Sequence, residues 1–207
     1  MATSLIYKNA LLYELAMMAL YGRHYRGRYR ALAALVPAGA SVLDLCCGPA
    51  TLYFRYLRHR GVAYTGLDLN PKFINRLVRA GAKGRVWDLR GEEPLPAADY
   101  VLMQASLYHF LPDASAVVGR MLRAASREVI VAEPVRNLAD SRFGLFAYLA
   151  RRHTDPGSGR AARRFTEATL DALFAGFGGR LRRAFLIPGG REKIYVLAGA
   201  DPGGKGR

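Results

Sequence analysis

Apolar positions along this chain alternate between helix spacing and strand spacing. Tyr7, Leu12, Leu15 and Ala19 recur on one helical face, so an amphipathic helix is predicted over 5–20. A second helix is predicted over 24–36, ended by Pro37 and Gly39. Val42, Leu43 and Leu45 then predict a buried strand over 41–46, and a helix follows over 50–60. "VAYTGLDL" reads as the second strand, and "PKFINRLVRAGA" as a helix with Pro71 at its favourable first position. "RVWDL" is a short third strand, and the acidic, proline-containing "RGEEPLPA" is a loop. "DYVLMQA" is the fourth strand, followed by a helix near 112–125, and "EVIVAEP" is the fifth, closed by Pro134. Helices near 140–152 and 166–176 come next, the latter with Thr166 and Thr169 as caps. The chain finishes in two strands, "RLRRAFLI" and "KIYVLAG", joined by "PGGRE".

Five strands separated by helices predict a parallel sheet, and if its order runs 3-2-1-4-5 the strand order reverses between the first and fourth strands. The short Pro-Gly-Gly turn predicts an antiparallel final pair. The expected fold class is therefore α/β: a doubly wound, Rossmann-like sheet of five parallel strands plus a C-terminal antiparallel β-hairpin, with helices on both faces. Residues 1–40 read as a helical cap or lid, 41–200 as the sheet domain, and "DPGGKGR" (201–207) as a disordered tail.

Composition narrows the class. At 207 residues and 51% hydrophobic, the chain suits one domain with a full core. Its two cysteines are neighbours, Cys46 and Cys47, so they form no cross-linking framework and complete no structural zinc site. That usage points to a reducing cytoplasm. The apolar run Leu11 to Leu20 contains Glu14, is too short to cross a bilayer, and lacks a small-x-small cleavage pattern. No membrane association and no metal are expected. The net charge of +15 is concentrated in "YGRHYRGRYR" (21–30) and in Arg151, Arg152, His153, Arg160, Arg163 and Arg164. Such stretches bind RNA or anionic substrates, or form solvated faces whose arginine stems cover apolar surface.

In a doubly wound sheet, ligands bind beyond the carboxyl ends of the strands where strand order reverses. That point gathers Asp44 with the loop 46–50, Asp68 after the second strand, Asp88 after the third, and Gln104 to His109 after the fourth. Asp68 stands where a carboxylate accepts ribose hydroxyls, and Asp88 can accept from a base amino group. Asp44 discriminates between ligands: it repels a pyrophosphate and attracts a primary ammonium. The loop also lacks G-x-G-x-x-G, so a nucleoside bearing an amino acid fits better than a dinucleotide.

Over residues 40–200 the chain resembles the class I S-adenosylmethionine-dependent methyltransferases, in their small-molecule subgroup. "VLDLCCGPA" stands where that family has a hydrophobic-Asp-x-Gly-x-Gly-x-Gly loop, with Cys46 and Ala50 in two glycine places. "YTGLDLN" resembles the ribose-binding strand end, and "VWDL" the adenine-binding one. The resemblance implies that Asp44 and Gly48 of the loop pack against the methionine portion, with Cys46, Cys47, Gln104 and Ala105 also among the cofactor-binding residues. It places Asp68 and Leu69 at the ribose, and Asp88 and Leu89 at the adenine. The cofactor expected is S-adenosylmethionine, leaving as S-adenosylhomocysteine. A Pro-Pro-aromatic motif is absent after the fourth strand, which counts against base amino groups as acceptors. A small-molecule acceptor is expected. RNA, through the basic stretches, and a non-catalytic cofactor-binding partner protein are the alternatives.

Several residues carry two readings. His109 can take the proton released on methylation, or hydrogen-bond at a helix start, and Tyr108 is a candidate of the same kind. Glu133 can face the acceptor or cap a turn, and Tyr25 and Tyr29 can close over the cofactor or pack in the core. The cysteines read as small residues allowing close approach of a ligand, not as redox thiols.

Overall fold

The computed structural model describes Met18, residues 22–135 and residues 164–200. The helices expected over 5–20 and 140–152, the basic residues 151–163 and the tail 201–207 lie outside the described residues, apart from Met18. Among the described residues, seven strands form one sheet in the order β3-β2-β1-β4-β5-β7-β6. They are β1 (Ser41–Leu45), β2 (Ala63–Asp68), β3 (Lys83–Val86), β4 (Ala98–Gln104), β5 (Ala125–Pro134), β6 (Leu181–Leu186) and β7 (Glu192–Ala198). The first five run parallel, as their patterning predicts. β6 and β7 are antiparallel to each other, and β7 is antiparallel to β5.

Alternation along the strands sends successive side chains to opposite faces. Leu43, Leu45, Val101, Met103, Val129 and Val131 pack under helices α3 (Ala114–Ala124) and α4 (Glu167–Ala175). Val42, Leu102, Ile130, Ala132, Ile194 and Val196 pack under α1 (Tyr25–Ala33) and against Leu77 of α2 (Pro71–Arg79). Local chemistry sets the helix ends. Pro71 opens α2 behind the Asn70 cap, and Thr166 and Thr169 form a reciprocal capping box at α4.

Three boundaries depart from the sequence pattern. β3 ends at Val86, not Leu89, because its partner β2 runs out at Asp68, the residue paired with Val86. Trp87 makes one last bond to the Asp68 carbonyl, 3.1 Å, and the chain leaves the sheet. β5 begins at Ala125, directly at the end of α3, because Ala125 pairs with Ala98. The helix expected over 50–60 forms over 51–60 but changes its winding, from α-helical at Thr51 and Leu52 to π-helical over Tyr53–Leu57 and 3-10 over Arg58–Arg60. The wider π turn keeps Leu52, Tyr53 and Leu57 all buried, with Tyr53 stacked on Tyr64 at 4.6 Å.

The turn between β1 and that segment is held in an unusual backbone. Cys46, Gly48 and Ala50 all have φ of 54°, so every second residue lies in the left-handed region. Only glycine enters that region freely; a side chain there costs about 1–2 kcal/mol. A Cβ on Gly48 would meet nothing within 4 Å, so the cost of adding one there is that of the backbone alone. In urea unfolding, Gly48→Ala is expected to lose about 1 kcal/mol, and Ala50→Gly to gain somewhat less because it also loosens the unfolded chain. Equal stability of Gly48→Ala and the wild type would contradict the left-handed turn.

Candidate functional site

The carboxyl ends of β1, β2 and β4 are neighbours in the sheet, and the β1 turn bends over them. Two amides of the turn tie it to β2, one through the β2 main chain and one through a side chain. The Cys47 amide donates to the Leu67 carbonyl at 3.1 Å, and the Gly48 amide to Asp68 Oδ2 at 2.8 Å. The other carboxylate oxygen of Asp68 accepts from the Asn70 amide, also at 2.8 Å. Burial pushes Asp68 above its ordinary value, and the two amide bonds oppose the rise. From the far side, Arg76 donates to the Pro49 carbonyl at 3.3 Å while stacking over Phe54.

Asp44 lies beneath this turn. Tyr64 donates to its Oδ2 at 2.6 Å, and burial raises Asp44 to about 7, with the Tyr64 bond opposing and Asp68 adding. The two thiols are held protonated: burial, with Asp68 and Asp44 beside it, pushes Cys46 up to about 12, and Cys47 rises likewise. Neither is a nucleophile in this setting. Among the described residues no cluster of His, Cys, Asp and Glu is disposed to hold a metal ion.

Asp44, Cys46, Cys47, Gly48, Gln104 and Ala105 meet in a narrow cleft of about 50 Å³, closed on the α1 side by Arg28 and Tyr29. Among the described residues, Gln104 Nε2 is buried there without a hydrogen-bond partner. An unpaired buried donor is costly, so its position marks where an acceptor atom from outside the chain would be welcome. Ala105 is left-handed, φ 50°, and its amide donates to the Ala132 carbonyl at 2.7 Å.

The remaining candidates do not line this cleft. Leu69 is 56% exposed beside Asp68, and Asp88 is exposed, with its Oδ1 accepting from the Arg90 amide at 3.0 Å. Leu89 turns inward to the core instead. Glu133 is buried, and its Oε1 accepts from the amides of Ser106 and Leu107, both at 2.6 Å. Burial raises Glu133 to about 8 against those bonds, with nearby Glu192 adding. It thus fixes the start of the 3-10 turn Leu107–Phe110, which carries Tyr108 and His109. The Tyr108 and His109 rings are 3.9 Å apart, and the Arg164 guanidinium lies 3.8 Å from the Tyr108 centroid. Burial and the charges of Arg164 and Arg90 depress His109 to about 4, so its imidazole is neutral at physiological pH but a weak base.

The basic stretch 21–30 divides. Arg23, Arg26 and Arg30 face solvent, whereas Tyr25, Arg28 and Tyr29 turn inward with Leu32. Arg28 pairs with Glu192 at 2.6 Å, both groups fully buried. Sequence reasoning missed Arg28, Glu192 and Arg164 as site neighbours. The spacing 25, 28, 29, 32 is an inner helical face and marks Arg28, whereas nothing local marks the other two.

Comparison with known proteins agrees with this geometry. Residues 26–152 match the family model described as methionine biosynthesis protein MetW. Over 81 residues the chain is 36% identical to trans-aconitate 2-methyltransferase of Mycobacterium tuberculosis, a match spanning 38% of this chain and 30% of that relative's length. Two solved structures share the fold. Magnesium protoporphyrin IX methyltransferase from Synechocystis, with bound SAH, superposes with a TM-score of 0.62 at 17% identity, covering 94% of this chain and 97% of that one. A TehB-like SAM-dependent methyltransferase from Corynebacterium glutamicum gives 0.59 at 20% identity, covering 87% and 91%. With its model spanning more than half of the residues, the MetW family is the one to which this chain belongs, and its fold is that of the class I S-adenosylmethionine-dependent methyltransferases.

Proposed function

We propose that this protein transfers a methyl group from S-adenosylmethionine to a small-molecule acceptor. The observation that carries the reading is the cleft at the β1–β4 switch point, where Asp44 faces an orphaned Gln104 amide under a turn tied to Asp68. An α-amino acid end needs an acid for its ammonium and donors for its carboxylate. Asp44 supplies the first, and Gln104 Nε2 supplies a donor for the second. Each Asp68 oxygen already accepts one amide and has capacity for a ribose hydroxyl. Exposed Leu69 offers apolar surface to a base, and Asp88 an acceptor beside it. When bound, the cofactor supplies an activated methyl group, so the protein's share is orientation and exclusion of water.

A small acceptor is supported by the partial match to an enzyme of that kind and by the inward turn of Tyr25, Arg28 and Tyr29. That turn removes three residues from the basic surface that would engage RNA.

Two measurements test the reading. By calorimetry, S-adenosylhomocysteine should bind, and Asp68→Ala should weaken it at least tenfold, about 1.4 kcal/mol. Absence of binding at millimolar ligand to folded protein would reject the proposal. The second concerns pH. A bound ammonium keeps Asp44 ionised, whereas in the free protein it titrates near 7 beside Tyr64, Asp68 and Cys47. Affinity should therefore be full above about pH 7 and fall as pH drops, by up to tenfold per unit. In Asp44→Asn that slope should flatten; an unchanged slope would assign the titration to another group.

A further inference from the structure

We propose that the acceptor side of this site is built for an anion, and that the group methylated is a carboxylate held by Arg164 beside Tyr108 and His109. The inference rests on the methyltransferase reading above and deepens it. Arg164 precedes α4, and its guanidinium lies 3.8 Å from the Tyr108 centroid in the 3-10 turn after β4. The Tyr108 and His109 rings there are 3.9 Å apart, and the charge of Arg90, which follows β3, also lowers His109. Arg90 acts on His109 and on Cys46 at the cleft, and Arg164 acts on His109 and on Glu133. Among the described residues, two carboxyl groups stand near these cations. Asp88 is exposed and 4.0 Å from Arg90, and Glu133 is turned inward onto two amides. Among the described residues, the contact made by Arg164 is with the Tyr108 ring. An aromatic face takes the flat of a guanidinium and leaves its N–H edge to bond a carboxylate in plane.

The chemistry agrees with the geometry. Methylating a hydroxyl or amine releases a proton and calls for a base that works near neutral pH. His109, the imidazole at this position, is held to about 4 by burial and the same two arginines. A carboxylate needs no base. One of its oxygens forms a bond to the methyl carbon as the carbon–sulfur bond of the sulfonium breaks, and the electron pair stays on sulfur. The products are a methyl ester and a neutral thioether, with no proton to remove.

Succinate, tricarballylate and trans-aconitate serve as probes, titrated into protein loaded with S-adenosylhomocysteine. At least one acid should bind, more weakly at high salt. Arg164→Met should weaken it at least tenfold without changing affinity for S-adenosylhomocysteine, and Arg164→Lys should restore part of the loss. With labelled S-adenosylmethionine, the transferred methyl should be released as methanol by alkali. Binding of S-adenosylhomocysteine with no acid bound, or acids bound equally by Arg164→Met, would overturn the proposal. Should S-adenosylhomocysteine itself not bind, the methyltransferase reading fails. The anion site is then decided in cofactor-free protein by proton resonances. A rise in the His109 titration midpoint on adding acid supports it, and an unmoved midpoint refutes it.

Discussion

The Asp68 carboxylate reaches from the end of one strand into the turn that follows another. By accepting the Gly48 and Asn70 amides together, it fixes the turns after β1 and β2 relative to each other. The rest of the cleft depends on that tie. A backbone that enters the left-handed region three times in five residues does not hold itself, and two of those residues are not glycine. With the Gly48 amide pinned, Cys46 and Ala50 have no freedom to relax, and Asp44 stays beneath the turn instead of reaching solvent.

Burial of charge is the second theme. Asp44, Glu133, Arg28 and Glu192 are each almost fully inaccessible to water. The Arg28–Glu192 pair satisfies itself, but such pairs are roughly neutral in stability compared with apolar packing. Asp44 and Glu133 are raised towards neutrality, which means that ionising them works against the fold at neutral pH. This expense lies under the carboxyl ends of the central strands. The molecule keeps polarity where a ligand with its own charges would meet it.

Much of this was legible in the sequence, for identifiable reasons. Parallel pairing of the first five strands followed from alternation and from the helices between strands, and the antiparallel terminal pair from a Pro-Gly-Gly turn too short for a crossover. The acids at the strand ends were visible because a lone carboxylate in an apolar run is conspicuous, as Asp44 is. The end of β3 was not visible, because Trp87 and Leu89 are apolar and buried yet lie beyond the last residue of β2 able to pair with them. The backbone of Cys46 and Ala50 was hidden because an L residue does not announce a left-handed φ as glycine does. Arg28 was obscured by the arginines around it, and the Arg164–Tyr108 contact joins segments that only the tertiary fold brings together.

The hairpin at the end of the sheet has a consequence for the order of assembly. β7 lies between β5 and β6, and Glu192, its first residue, is 164 residues along the chain from its partner Arg28. On a ribosome, the first five strands emerge before either the cover for the open edge of β5 or the anion for Arg28 has been made. A contact of such long range closes late, after local helices and neighbouring parallel strands have formed. The face that carries the cleft is therefore the last to be secured during synthesis, and until then an unpaired strand edge is its exposed liability.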